Sequence, residues 1–401
     1  MSSDKAPFSW EDPFQMQSQF SEEERMIQES ARDYAQDKLL SRVRDAFRHE
    51  TFDREIMNEF GAMGMLGATL PEKYGCSNVN YVAYGIMARE VEMVDSGYRS
   101  AMSVQSSLVM HPIYAYGTEA QREKYLPKLA TGEIIGSFAL TEPDAGSDAG
   151  SLQTKAIRDG DDFILNGTKR YITNAPSAQL FTVFARTDAD LAGAKGVSAF
   201  LVDASTPGIT LGAPNKKMGQ KGAHVCDVIF DDCRIPASCL LGGADKLNKG
   251  FLTAMKTLDR GRIHISALSV GCADRLIDLC LAYGSERKQF GQRIADFQLL
   301  QAMVADSKAE SYAAQCMVLD AAKRRDNGEA VNTLASCCKL FATEMVGRVA
   351  DRAVQYHGGA GYMEEYAVAR FYKDVRLFRI YEGTSQIQQT IIAKNLLKEF
   401  N

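Results

Sequence analysis

Apolar residues recur along this chain in two rhythms, and the change of rhythm divides it in three. From the start to about residue 132 the spacing is helical. Ser21-Glu22-Glu23-Glu24 reads as a helix start, a serine cap with acids in the first turn, and Met26, Ile27, Ala31, Tyr34 and Ala35 follow on one face. Phe52-Asp53 leads into Ile56, Phe60, Met63, Met65 and Leu66, and Pro71 closes that unit. Tyr81 to Val94 predicts an amphipathic helix, and Gln121 to Ala130 predicts another, ended by Thr131-Gly132.

Between about 133 and 240 the rhythm becomes strand-like. Phe163 to Leu165, Leu180 to Ala185, Val197 to Val202 and Val225 to Phe230 are short β-rich runs. Turn residues separate them: Asp159-Gly160-Asp161, Asn166-Gly167, Thr206-Pro207-Gly208 and Asp231-Asp232. Strands in succession without intervening helices predict an antiparallel β-domain. Long helical patterns then return over Gly250 to Gly284, Phe297 to Asn327, Ala330 to Gly358 and Thr384 to Glu399. Short loops between long helices predict an antiparallel bundle. The expected plan is mostly α: a helical domain over 1–132, a middle β-domain (barrel or sandwich) over 133–243 and a four-helix bundle over 244–401.

Composition narrows the class. The chain has 401 residues, 45% hydrophobic and 24% charged, which is globular and large enough for several domains. A formal net charge of −5 with no Lys/Arg run argues against nucleic acid. Nine cysteines show no C-x-x-C pair, so reduced thiols are expected. No apolar run approaches the length of a membrane span. Met1 to Trp10 is neither a signal peptide nor an Arg-rich amphipathic helix. A cytoplasmic protein fits, and so does a processed form in the mitochondrial matrix.

Five stretches carry candidate chemistry. In Arg379-Ile380-Tyr381-Glu382-Gly383-Thr384-Ser385-Gln386-Ile387 a carboxylate sits on a tight turn at a helix entrance, where an apolar cleft can tune it as a base. A charged surface turn would read the same way. Leu140-Thr141-Glu142-Pro143-Asp144-Ala145-Gly146-Ser147-Asp148 offers hydroxyls and backbone amides to a polar cofactor, or is only a turn. Lys169-Arg170-Tyr171-Ile172-Thr173-Asn174 ends a strand with an aromatic that can stack on a planar ring or pack in the core. Arg287-Lys288-Gln289-Phe290-Gly291 joins a phosphate-capable arginine to an aromatic, or is a solvated helix end with Phe290 buried. Gln355-Tyr356-His357-Gly358-Gly359-Ala360-Gly361-Tyr362 follows a helix, so it is no Walker or Rossmann motif; it caps the helix or lets a phosphate approach. His357 has no second ligand nearby, and no metal is expected.

In this order and at these spacings the stretches resemble the flavin-dependent acyl-CoA dehydrogenases over nearly the whole chain. The resemblance implies FAD bound at a dimer interface, commonly within a tetramer, and oxidation of acyl-CoA thioesters to 2-enoyl-CoA. It assigns Phe138, Leu140, Thr141 and Ser147 to the loop on flavin and substrate. It sets Tyr171 and Thr173 against the isoalloxazine, tryptophan being frequent where Tyr171 stands. Arg287, Phe290, Gln298, Gln355, Gly358 and Gly359 match contacts to the FAD adenine and pyrophosphate, partly from the neighbouring subunit. Asp259 and Arg262 match the helix lining the acyl-CoA pocket. Glu382 matches the base, with Gly383, Thr384 and Gln386 beside substrate and FAD; one branch carries its base where Gly261 stands. The base takes the α-proton while the β-hydride passes to the flavin, and electrons leave to an electron-transfer flavoprotein.

Within the family, Trp10-Glu11-Asp12-Pro13, Val94 to Met110 and His111-Pro112-Ile113 look most like glutaryl-CoA dehydrogenase. There the residues matching Arg99 and Ser100 hold a distal carboxylate near the one matching Glu92. Tyr381 to Gln388 instead looks like short-chain acyl-CoA dehydrogenases. Glutaryl-CoA, with or without decarboxylation to crotonyl-CoA, is therefore the expected substrate. The alternatives are a short or branched monocarboxylic acyl-CoA, an acyl-CoA oxidase, and a non-enzymatic acyl-CoA or flavin-binding protein, which would lack the base.

Overall fold

In the computed structural model Ser21 opens the first helix through a reciprocal pair. Its hydroxyl accepts from the Glu24 amide at 3.1 Å, and the Glu24 carboxylate accepts from the Ser21 amide at 2.8 Å. The structure describes residues 12, 14–191 and 193–400, so Trp10, Glu11 and Pro13 lie outside the described residues. Helix α1 (Glu22–Tyr34) runs through a wide turn at Ala35–Leu39 into α2 (Leu40–His49). Ala31, Tyr34 and Ala35 are buried as the spacing requires, but Met26 is 62% exposed. The buried face is turned towards polar partners instead: Gln28 Nε2 donates to Glu90 Oε1 at 2.7 Å.

Helices α3 (Glu55–Ala62), α4 (Tyr81–Glu92), α5 (Ser96–Ser103), α6 (His111–Tyr116) and α7 (Glu119–Ala130) complete the first part. Asp95 caps α5, its carboxylate accepting from the Tyr98 amide at 2.7 Å. A wide-turn stretch, Val104–Met110, joins α5 to α6, so 96–116 is one continuous helical rod.

The middle part is one seven-stranded sheet. Its strands are β1 (Gly136–Ala139), β2 (Lys155–Asp159), β3 (Asp162–Thr173), β4 (Leu180–Arg186), β5 (Val197–Asp203), β6 (Ile209–Leu211) and β7 (Val225–Pro236). The order is β1-β4-β2-β3-β7-β6, with β5 also paired to β4. Antiparallel pairing holds for β2–β3, β3–β7, β4–β5 and β6–β7, but β1 and β2 both lie parallel to β4. The sheet is therefore mixed. The cause is connectivity: β1 comes straight from α7 and meets β4 across an intervening hairpin, so no tight turn sets its direction. Phe163, Phe181, Phe200 and Phe230 fill a core belonging to this sheet.

Helix α8 (Gly250–Glu286) is 37 residues long and packs on α4 as well as on α9 (Gln298–Asp326) and α10 (Asn332–His357). A small hairpin, β8 (Lys288–Gln289) and β9 (Gln292–Arg293), joins α8 to α9. The chain ends with α11 (Ala367–Val375), which the spacing did not predict, and α12 (Ser385–Phe400). Among the described residues no helix is long and apolar enough to cross a membrane.

Candidate active site

Between α11 and α12 two consecutive residues take left-handed backbone angles, Glu382 at φ 52 and Gly383 at φ 90. Glycine suits the second: a Cβ there would stand 2.6 Å from Gln388 Nε2. Glutamate does not suit the first, and such a residue costs about 1 kcal/mol or more that its surroundings must offset. They do so by gripping the turn. Lys339 Nζ donates to Gly383 O at 2.8 Å. Gln388 Nε2 reaches Glu382 O at 3.2 Å and Gly383 O at 3.1 Å. Glu344 on α10 accepts from Ser385 Oγ at 2.6 Å and pairs with Arg379 at 3.2 Å. Thr384 Oγ1 accepts from the Ile387 amide at 3.2 Å and caps α12.

So held, the Glu382 side chain lies against Gly261 of α8, where any Cβ would overlap Oε2. The two alternative base positions of the sequence reading are thus neighbours in space, and glycine at 261 makes room for the carboxylate at 382. Oε2 is sealed from solvent and has no hydrogen-bond partner. Burial pushes this carboxyl up to about 7, against the opposing pull of Lys339, Arg99 and Arg262. A group so poised can take or give a proton near neutral pH.

Arg99 lies close by, but its fork is already engaged. Nε donates to Glu92 Oε2 at 2.5 Å, Nη1 to Ser103 Oγ at 3.4 Å and Nη2 to Tyr381 Oη at 2.9 Å. Ser96 holds the other Glu92 oxygen. Arg99, Glu92 and Ser100 are all buried. Ser103 also meets His264 Nε2 at 2.7 Å, and the His264 ring stacks on Tyr84 at 4.4 Å. Burial beside Arg99 and Arg260 holds this imidazole at about 3, so it is neutral. Arg262 of α8 is buried and pairs with the half-buried Asp259 at 2.6 Å, and its Nε has no hydrogen-bond partner among the described residues.

A second group of residues stands on the sheet. Strand β3 carries a bulge, Arg170 and Tyr171 together opposing Asp227 of β7. Tyr171 takes φ 60 there and swings out to 63% exposure. The Arg170 amide donates to Thr141 O at 2.8 Å, and the buried pair Lys169–Glu142 at 2.7 Å ties the same loop to β3. Leu140 is buried, Phe138, Thr141 and Thr173 are half-buried, and Ser147 is exposed.

The third group lies around the ends of α8, α9 and α10. Phe290 and Gly291 form the left-handed two-residue turn of the β8–β9 hairpin, at φ 50 and φ 81. Phe290 is 95% exposed rather than buried, so the reading of it as core is wrong. Arg287, Gln298, Gln355, Gly358 and Gly359 are exposed as well, as is Gln386, which lies apart from this group in the first turn of α12. His357 Nδ1 donates to Ala353 O at 2.8 Å and its ring stacks on Tyr283 at 4.4 Å, a packing role. Among the described residues no hydrogen bond, ion pair or ring contact joins this group to the sheet group.

These donors fit a dinucleotide flavin. An uncovered aromatic on a strained bulge can face a fused ring system. An exposed arginine, an exposed phenyl ring and a glycine pair with nothing within 4 Å of either Cβ position can receive pyrophosphate and adenine. Among the described residues no His/Cys/Asp/Glu cluster could hold a metal.

The sequence reading missed Lys339, Glu344, Gln388 and the Lys169–Glu142 pair. Lys339, Glu344, Gln388 and Lys169 are single polar residues inside helices or a strand and Glu142 lies in the loop after β1, and the one available signal was a lysine at an otherwise apolar position of α10.

Three family models match in order: the N-terminal domain of acyl-CoA dehydrogenases over 21–133, the middle domain over 137–233 and the C-terminal domain over 248–397. A subunit of the caffeyl-CoA reductase–Etf complex of Acetobacterium woodii is 41% identical over 95% of this chain and all of its own. A butyryl-CoA dehydrogenase from Megasphaera elsdenii superposes with TM-score 0.91 at 36% identity, over 94% of this chain and 99% of that one. A glutaryl-CoA dehydrogenase from Mycobacterium smegmatis in complex with FADH2 gives 0.91 at 34% identity, over 96% of each. The chain belongs to the acyl-CoA dehydrogenase family, a family of FAD-binding oxidoreductases.

Proposed function

We propose that this protein oxidises a short acyl-CoA thioester to the 2-enoyl-CoA, with Glu382 as the base. The observation that carries the reading is the Glu382 carboxylate, seated against Gly261 without a partner and pushed up to about 7. The thioester lies beside it with its α-carbon facing Oε2. The Glu382 amide, which has no acceptor within the chain among the described residues, hydrogen-bonds the thioester carbonyl and acidifies the α-carbon. Oε2 then takes the α-proton. FAD, when bound, supplies the acceptor for the β-hydrogen and its electron pair. Phe138, Leu140, Thr141, Ser147, Tyr171, Thr173, Thr384 and Gln386 hold its ring system. Arg287, Phe290, Gln298, Gln355, Gly358 and Gly359 hold its adenine and pyrophosphate end, supplied by a second copy, which accounts for the two groups not meeting among the described residues of one chain. A homotetramer, division into 1–132, 133–243 and 244–401, and an electron-transfer flavoprotein as acceptor complete the reading. The test is Glu382→Gln: FAD and acyl-CoA still bind, while flavin reduction falls about 10²-fold or more. Near-native reduction would overturn the assignment.

Glutaryl-CoA is the substrate we assign, on Arg99 and Ser100 in the rod that faces Glu382. A neutral short acyl chain is the second reading, favoured by one observation: Glu92 already occupies the Arg99 fork. The distal carboxylate must displace or share that partner, which costs several kcal/mol unless the new pair is as well hydrogen-bonded. Turnover of glutaryl-, butyryl- and hexanoyl-CoA by the native protein and Arg99→Met decides. Preference for glutaryl-CoA that disappears in the variant supports the first reading. A butyryl-CoA preference unchanged by the substitution establishes the second.

A further inference from the structure

Helix α10 grips the Glu382 turn at two places, through Lys339 at Gly383 O and through Glu344 at Ser385 and Arg379. The first grip is unusual in its chemistry. Lys339 is completely buried, yet among the described residues its side chain donates one hydrogen bond, to a neutral carbonyl, and no carboxylate lies within ion-pair distance of it. A buried ammonium without an ion-pair partner is expensive, and a simple clamp on a carbonyl needs no charge.

We propose that Lys339 is a positioning residue whose positive charge, held at Gly383 O, keeps Glu382 ionised enough to act as the base. This rests on Glu382 being the base and adds what sets its working range. The charged and titratable groups facing Glu382 are Lys339 from α10, Arg262 from α8, Arg99 from α5, and Tyr381 and Tyr81. Those facing Lys339 are Glu382, Arg262 and Glu344. Arg99 is neutralised by Glu92 and Arg262 by Asp259. Glu344 is shared with Arg379. Lys339 alone of these three cations has no ion-pair partner among the described residues, and Glu382 is the carboxylate that acts on it most strongly. The coupling works in both directions. Burial holds the ammonium down at about 8 while Glu382 pulls it back up, and the ammonium pulls the carboxyl down in return.

The experiment compares Lys339→Gln, which can still donate to Gly383 O, with Lys339→Met, which cannot. Each FAD-loaded protein is mixed with butyryl-CoA, and the rate of flavin reduction is followed against pH. Loss of the charge moves the rising limb of both variants to higher pH by about one unit. An unmoved midpoint in both overturns the inference. So does a shift in Lys339→Met alone, which would make the residue only a clamp. If neither variant loads FAD, the reciprocal measurement decides in Glu382→Gln, with lysine Nζ labelled for NMR. There Lys339 must release its proton at lower pH than in the native protein, and an unchanged titration overturns the proposal. Failure of Glu382 as base would appear separately, as near-native reduction in Glu382→Gln at every pH.

Discussion

At the scale of single residues the site turns on a glycine that faces a glutamate. Gly261 lies inside a helix, where alanine is better by about 1 kcal/mol, and Glu382 takes backbone angles that favour glycine. Both local preferences are violated at one contact, which is where a functional constraint shows. Gly261→Ala should therefore separate stability from activity. Helix propensity gains, so the thermal midpoint holds or rises, whereas the new methyl displaces Oε2 and flavin reduction falls about tenfold or more. A fall in both together would mean that the helix, not the carboxylate, needs the glycine. The pH dependence has a definite sign. The folded Glu382 carboxyl sits at about 7 against an ordinary 4.5, so its contribution to stability is complete below 4.5 and is lost as pH rises through 7. The reaction needs the ionised form, so its rate rises over the same interval. In Glu382→Gln that loss of stability with rising pH should be absent.

At the scale of elements, the long amphipathic helices were legible because their apolar spacing and caps agree. Ser21-Glu24 and Thr118-Gln121 are reciprocal caps, and α8 extends only to Glu286 where Gly284 was expected. The short strands were not legible. In β2 only Ala156 is buried, so it has no alternation to read, and β1 and β6 have four and three residues. The order of motifs singled out Glu382, Tyr171 and Arg287 as candidates, but nothing local could reveal the bulge that turns Tyr171 outward, because that depends on two residues sharing one partner on β7. Lys339 was hidden for the same kind of reason: its partner is 44 residues away. The bulge itself is testable. Tyr171→Gly relieves the left-handed strain, so the FAD-free protein should be as stable or more so by up to about 1 kcal/mol, while losing affinity for FAD. Unchanged affinity, measured by flavin release, would make Tyr171 a packing residue and not part of the flavin site.

At the scale of the whole molecule, helical and sheet portions meet at a buried knot of charge. Asp95 caps α5, Arg370 rises from α11 to pair with it at 2.9 Å and to donate to Val94 O at 2.7 Å, and Asp374 lies a turn further on at 3.8 Å. Asp374 also accepts from the Gln220 amide, in the loop leading to β7, and Gln220 takes φ 49 to reach it. Two buried carboxylates thus depend on one arginine, and burial already pushes Asp374 up to about 7. Arg370→Ala leaves both unpaired in the interior, where breaking such a set costs about 3–5 kcal/mol. Removal of the cation raises both carboxyls further, so the variant's carboxyls take up protons more readily on folding than the native ones. Its deficit should therefore be largest above pH 7 and shrink as pH falls and the acids become neutral. Denaturant midpoints of native and variant protein between pH 5 and pH 8 read this directly. A deficit that stays constant across the range would show that Arg370 acts through packing and its bond to Val94, not through the two aspartates.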